Sequence, residues 1–536
     1  MPVLTILDTL SVQGYVFGSN RLKENIGGSE LVKRATGQWV KELLPPQNNV
    51  VEINKGMLRL DDRRLEENQL QAEVVYSGGG NTVILFNALE TAKEFTERLS
   101  RKIIESAPGL ELAVLHKEFN WAIALGGYKT GLMFEAFKEL EALKRNRQAT
   151  RPLAGLGVAA VCQSTGQPAN TIDQDGNPIS AEIRSKLDIV PEANSSFNWL
   201  IADPVYQFEF PLELDHLGRS RGDSSYVGVV HADGNGMGQR LEVISGKYSR
   251  ADQNREYLDA LRQFSFKVNR ASIAALKRLM DEVRASIRLV RDPKGSYTVT
   301  IMEKVPLTEN YLPIRPLVFG GDDLTFVCDG RLALTMTEFY LRAFEEETRK
   351  VELDNVHACA GIAVVKSHYP FARAYQLAET LCKNAKDRVR DSGKDYSALD
   401  WHFTAGGIMG SLSTIREREY KLPDGSELLM RPLALDAAHG DWQNWPNFKT
   451  LVNQFSQEWS QGRNKIKQFR EALRLGQTGY RQFLNAQKGV TVPRFTTHHQ
   501  NAFDNGFIGK QCIHYDAIEA MDFFVALHSD AGQEEK

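Results

Sequence analysis

The stretch LVFGGDDLTFVC, residues 317–328, constrains this chain most. Two glycines and two aspartates stand between apolar, β-prone flanks. Leu317, Val318 and Phe319 are expected to form one strand and residues 324–328 the next, with Gly320 and Gly321 permitting a tight turn. On a surface hairpin, Asp322 and Asp323 would simply be solvated turn residues. Apolar flanks on both sides argue for a central hairpin instead. Adjacent carboxylates there repel each other and lose hydration, and a bound divalent cation offsets both costs. A further carboxylate should then come from elsewhere in the chain.

The candidate lies upstream in YVGVVHADGNGMGQRL, residues 226–241. Residues 226–232 read as a buried strand that ends in Asp233, followed by Gly234, Asn235, Gly236, Met237 and Gly238. A carboxylate at a strand end, then a glycine-rich loop entering a helix, suits phosphate: bare amides face anionic oxygens and the helix start adds positive potential. Alone, such a loop is equally well a flexible connection with a capping aspartate.

With 536 residues the chain is too long for one core, and two to four domains are expected. Apolar content of 42% and charged content of 25% place it among ordinary globular proteins. A net charge of −3 argues against a strongly basic nucleic-acid binder. No apolar run is long enough to span a membrane, and no signal peptide is read at Met1. The five cysteines, Cys162, Cys328, Cys359, Cys382 and Cys512, form no Cys-x-x-Cys pair, so neither a zinc ribbon nor a disulfide framework is expected. A reducing cytoplasm fits best.

Periodicity predicts long helical stretches over 255–291, the hairpin, a helix over 332–350, a strand over 356–366, a helix over 370–389 and a strand over 397–403. This is a ferredoxin-like palm order, in which the first strand's end meets the central hairpin and Asp233 meets Asp322 and Asp323. On the helix over 370–389, Lys383 and Lys386 stand one turn apart, beside a buried stripe of Ala374, Leu377, Ala378, Leu381 and Ala385. A lysine at its rim could reach a triphosphate tail, or simply be solvated.

Together, HADGNGMG, FGGDDLTFV, HACAGIAVVKSHYPFARAYQLAETLCKNAK and SALDWHF resemble the palm polymerase and cyclase superfamily. They are most similar to the large subunit of type III CRISPR effector complexes; diguanylate cyclases share the palm. The resemblance implies an α+β fold of two ferredoxin-like palms, the first degenerate and the second active, plus a C-terminal helical domain. The expected boundaries are 1–175 for the degenerate palm, 176–224 for a linker or insertion, 225–405 for the GGDD palm and 406–536 for the helical domain. In the first half, Asp8 matches Asp233, and Gly78 and Gly79 match Gly320 and Gly321, while Gly80 and Asn81 replace the acids.

The activity implied is joining of ATP into a cyclic di- or oligonucleotide for antiviral defence. Asp233, Asp322 and Asp323 would be catalytic and, with the Gly234 carbonyl, would hold Mg2+ or Mn2+. Gly236, Met237, Gly238, Gly320, Gly321 and Lys386 would bind the triphosphate, and Gly78, Gly79 and Asn81 the acceptor nucleotide. Implied partners are other CRISPR effector subunits with guide and target RNA, with a homodimer as an alternative and no membrane. Two other readings stay open: a non-catalytic or RNA-activated scaffold subunit, and a GTP-using cyclase. The family often carries an HD nuclease domain; with no His-Asp dipeptide here, none is expected. It can also carry a cysteine zinc insertion between the palms, and with Cys162 alone in that stretch no zinc is expected there. Activity without guide RNA is favoured slightly, because no long basic segment is present to hold a duplex. Around the C-terminal stripes of Phe448, Leu451, Val452, Phe455 and Trp459, and of Ile466, Phe469 and Leu473, basic residues read as a solvated face.

Overall fold

The structure is a computed structural model that describes residues 1–54, 57–67, 69–147, 157–202, 207–218, 225–291, 297–353, 355–404, 410–439, 441–459, 462–487, 489–499 and 502–528. The expected boundaries at 224/225 and 405/406 lie outside the described residues.

Two α+β palms repeat one plan. In the first, strand β1 (Val3–Leu10) runs through the middle of the sheet, and helix α1 (Leu22–Lys33) follows it. The hairpin of β2 (Ala72–Gly78) and β3 (Asn81–Phe86), helix α2 (Leu89–Ser106), strand β4 (Glu111–Glu118) and helix α3 (Leu132–Asn146) complete it. The order across the sheet is β2-β3-β1-β4.

The second palm starts at β5 (Tyr226–Gly234), with helices α4 (Met237–Lys247) and α5 (Asn254–Ala285) after it. Then come the hairpin β6 (Ile314–Gly320) and β7 (Asp323–Asp329), α6 (Ala333–Lys350), β8 (Ala358–Lys366), α7 (Phe371–Asp391) and β9 (Ala398–Phe403). With β10 (Leu433–Ala434) at the far edge, the order is β6-β7-β5-β8-β9-β10. Its first four strands repeat the first sheet strand for strand. One expectation is corrected: helix does not continue to residue 291. It stops at Ala285, and Ile287–Arg291 forms a strand against Tyr297–Ile301. IRLVR carries a short period-2 pattern behind a 32-residue helix, and antiparallel pairing takes it over.

Each sheet borrows cover from the other palm. Helix α5 lays Tyr257, Leu258 and Leu261 on the first sheet beside Leu4, Ile6 and Val83. In return, α1 and the short helix Val12–Phe17 bring Tyr15, Phe17, Ile26 and Leu31 into the cluster that holds Val229, Val327 and Ala363 of the second sheet. Phe17 stacks on Tyr375 with ring centres 4.0 Å apart. The region 176–224 contains helices at Ala181–Asp188, Val190–Ser195 and Asn198–Ile201, the first two against α1.

The C-terminal region has helices α8 (Leu412–Tyr420), α9 (Trp445–Glu458), α10 (Arg463–Leu473), α11 (Gly476–Ala486) and α12 (Tyr515–Ala520). It shares one continuous core with the other face of the second sheet. Buried polar links fix it. Asp400 on β9 accepts two hydrogen bonds from Arg416 on α8, at 2.9 and 2.7 Å. Fully buried Arg431 lies 3.5 Å from Asp516 and 3.4 Å from Glu519.

Helix α7 lies close on β8 because Gly361 has no side chain: a Cβ there would sit 1.9 Å from the Ala378 carbonyl oxygen and 2.3 Å from the Cys382 nitrogen. Gly361→Ala should therefore cost about 3 kcal/mol by forced overpacking. Urea unfolding checks this, and a stability equal to wild type would contradict the close contact.

Candidate active site

The hairpin between β6 and β7 turns through Gly321 and Asp322, with Gly320 paired to Asp323 and Gly321 at φ +63°. Strand β7 pairs with β5 as far as Leu324 opposite Ala232. Just beyond that last pair, Asp233 and Asp323 are close enough for their charges to interact. Asp322 leans over the same end of β5. A Cβ on Gly234 would lie 2.8 Å from both Cβ and Oδ2 of Asp322, and 2.5 Å from Cε of Met237. Glycine at 234 thus lets the turn carboxylate close on the strand end, and three acids converge.

Their electrostatics follow from crowding. Burial, then the nearby Asp233 charge, pushes Asp322 up to about 7. Burial and Asp233 push Asp323 up to about 8, against the pull of Lys386. The Asp323 side chain is 40% exposed along one edge, yet its Oδ1 is buried and accepts no hydrogen bond. His231 Nδ1 lies 3.3 Å from that oxygen, outside hydrogen-bond geometry, and contacts Thr325 Oγ1 at 3.2 Å. An unsatisfied buried carboxylate oxygen beside two further carboxylates fits a hard divalent cation, which takes oxygen ligands and relieves the like-charge repulsion.

Lys386 stands on α7 with Nζ 2.6 Å from Asp233 Oδ2 and 2.8 Å from the Gly234 carbonyl. Burial lowers its pKa and the Asp233 charge raises it, with a net upward shift. Lys383, one turn away, is exposed and outside the site. Gly236, at φ +63°, caps α4 without a side chain, so the first amides of that helix carry no side-chain cap. No atom lies within 4 Å of a Cβ placed on Gly238. Asn235 anchors the loop: its N–H donates to the His357 carbonyl at 2.8 Å and its Nδ2 to the Tyr396 carbonyl at 3.0 Å.

The first palm reproduces this frame without the acid pair. Gly78 pairs with Asn81 as Gly320 pairs with Asp323. Both hairpins carry a bulge at the matching place, between Val74 and Tyr76 and between Pro316 and Val318. Asp8 pairs across the ladder with Asn81. Its carboxylate is ion-paired with Lys144 on α3, as Asp233 is with Lys386 on α7. Lys144 precedes Lys386 in the chain by the distance that separates Gly78 from Gly320. Sequence reasoning missed Lys144; its matching spacing after the glycine hairpin was the available signal. His231 was also missed, because one histidine inside an apolar strand carries no pattern.

The two hairpin tips touch. A Cβ on Gly320 would lie 3.5 Å from both Cα and N of Gly79. Gly78, Gly79 and Asn81 therefore belong to the same seam as Asp322 and Asp323.

Residues 226–395 match the family described as Cas10/Cmr2, second palm domain. The second palm is similar to that palm domain. A comparison with curated proteins found no match. Solved structures match over nearly the whole chain. A Csm1-Csm4 cassette in complex with AMPPNP is 14% identical with a TM-score of 0.52, covering 97% of this chain and 69% of that one. The same cassette with cA4 is 13% identical at a TM-score of 0.51, covering 97% and 69%. The cassette with one ATP is 14% identical at 0.51, covering 98% and 70%. At these identities the likeness is one of fold, and it spans both palms and the C-terminal helical region of this chain. Among the described residues, no helix is long and apolar enough to cross a membrane.

Proposed function

We propose that the protein is a nucleotidyltransferase that joins ATP into a cyclic oligoadenylate. The observation that carries this reading is the convergence of Asp233, Asp322 and Asp323, with one buried Asp323 oxygen left unsatisfied, at the seam between the two palms. Asp233, Asp322 and Asp323, with the Gly234 carbonyl, would hold Mg2+ or Mn2+. Such an ion lowers the pKa of an attacking ribose hydroxyl and neutralises charge on the pyrophosphate leaving group.

The chain's own groups have separate tasks in this reading. The Gly236, Met237 and Gly238 amides at the start of α4 cradle the triphosphate, with Gly320 and Gly321 alongside. Lys386 transfers its ammonium from Asp233 to a phosphate oxygen when nucleotide and ion arrive. Gly78, Gly79 and Asn81 leave room for the acceptor nucleotide beside the active turn. ATP is favoured over GTP because the matched cassettes were solved with ATP, AMPPNP and cA4. Those structures also hold Csm4, which supports a second reading: the chain works docked to such a subunit and is switched on by guide and target RNA.

The test is mass spectrometry of products from the purified chain with mixed ATP and GTP and Mg2+ or Mn2+. Cyclic oligoadenylate made without RNA is the expected result. Product from GTP alone would overturn the substrate assignment. Product only after a Csm4-type subunit, guide and target RNA are added would establish the second reading, and none under any condition would leave the chain a scaffold.

A further inference from the structure

We propose that Asp441, His498 and His499 form a binding site for a divalent transition-metal ion of the zinc class, in the C-terminal region and separate from the palm acids. One ligand atom from each of the three residues lies within 4.8 Å of the others. His499 Nε2 is 3.1 Å from Asp441 Oδ2, and His498 Nε2 is 3.8 Å from Asp441 Oδ1. The two imidazole rings lie side by side, 4.2 Å between centres and tilted by 35°.

This convergence is built by the backbone on both sides. Neighbouring residues of an extended segment point to opposite faces. Here the chain bends at His498, so both rings reach one carboxylate. Asp441 comes from the other side with a φ of +49°, in the left-handed region that a non-glycine residue rarely occupies. Its carbonyl accepts a hydrogen bond from Asn444, and the buried Asn444 side chain caps α9 at the Asn447 amide, 2.9 Å away.

The histidine segment is tied to the same helix. Gln454 donates to the Arg494 carbonyl at 2.9 Å and accepts from the Arg494 amide at 2.6 Å. Trp459 Nε1 donates to the Thr491 carbonyl at 3.3 Å. Both ligand-bearing segments are thus fixed to α9, and the three side chains between them reach the surface, where an ion can enter.

The donor set selects the metal. Two imidazole nitrogens and one carboxylate oxygen suit Zn2+, with a fourth position left for water. Mg2+ and Ca2+ prefer oxygen alone, which the palm acids offer and this site does not. A tetrahedral zinc needs its donors about 3.4 Å apart at bond lengths near 2.0–2.1 Å, so exposed side chains need only rotate to close on it. A shared ion satisfies both imidazoles and the carboxylate at once. Bound there, the metal clips residues 491–499 to the loop that leads into α9.

The test uses the full-length Asp322→Ala/Asp323→Ala variant, stripped with chelator and titrated with zinc chloride in excess Mg2+. Calorimetry and metal analysis should give one Zn2+ per chain, and melting should rise on binding. Asp441→Asn and His499→Ala, each added to that variant, should weaken zinc at least tenfold and abolish the rise in melting. All three side chains are surface groups, so the zinc-free melting of these variants should match the parent. No stoichiometric zinc in the parent, or unchanged affinity in both substituted chains, would overturn the site.

Discussion

Replacing Asp322 and Asp323 together by alanine should abolish nucleotide joining and leave the fold intact. These acids supply two of the three carboxylates at the seam, and loss of ion-mediated charge stabilisation is worth several kcal/mol of barrier, or at least about a thousandfold in rate. Neither serves packing: Asp322 lies in a two-residue turn, and the Asp323 side chain is 40% exposed. The metal-free protein should even be more stable without them. Held up to about 7 and about 8 in the fold, they stand above the ordinary aspartate value of 3.8, so between roughly pH 4 and pH 8 the native chain holds more protons than the unfolded one. Native stability therefore falls as pH rises through that window. The double variant should melt above wild type at pH 8 without metal, and the difference should narrow as pH falls and close near pH 4. Product formation at the wild-type rate, or a wild-type chain that melts higher than the variant at pH 8, would refute this account.

Asp233→Asn and Asp8→Asn should separate the two palms. The first substitution removes an acid from the cluster and leaves Lys386 without its carboxylate partner, and it should lower turnover by about a hundredfold or more. The second removes an acid whose neighbours across the turn are Gly80 and Asn81, and whose ion-pair partner Lys144 is outside the seam's acid cluster. It should cost turnover less than about tenfold. The lysines extend the contrast. Lys386→Ala should raise the KM for triphosphate and slow turnover, Lys383→Ala should do neither, and Lys144→Ala should act through the acceptor. Steady-state kinetics of folded variants decides; equal losses from Asp8→Asn and Asp233→Asn would make the first palm a working partner in metal binding.

The parts legible in the sequence were those written in local pattern. The hairpin at 317–328 announces itself because glycines, acids and alternating apolar residues fall within a dozen positions. The match of Gly78 and Gly79 to Gly320 and Gly321 extends to paired register and bulge. Lys144 stayed hidden because it sits among the charges of EALKRN, and its one signal is a spacing after the glycine hairpin that it shares with Lys386. The strand at Ile287–Arg291 was overrun by a long helical pattern, and only its pairing with Tyr297–Ile301 reveals it. The exchange of helices between the palms depends on contacts more than a hundred residues apart. The cluster of Asp441, His498 and His499 was invisible because the acid and the histidines lie on separate segments of the chain that only the fold brings together.

That exchange makes the pair of palms a single cooperative unit. The first sheet needs Tyr257, Leu258 and Leu261 from the second palm to complete one face, and the second needs Tyr15, Phe17 and Ile26 from the first. Cutting the chain between them would yield two fragments with open cores, each exposing an apolar sheet face prone to aggregation, rather than two independent domains. The seam where Gly79 meets Gly320 is held from both sides, so the setting of the acid cluster depends on the packing of either half.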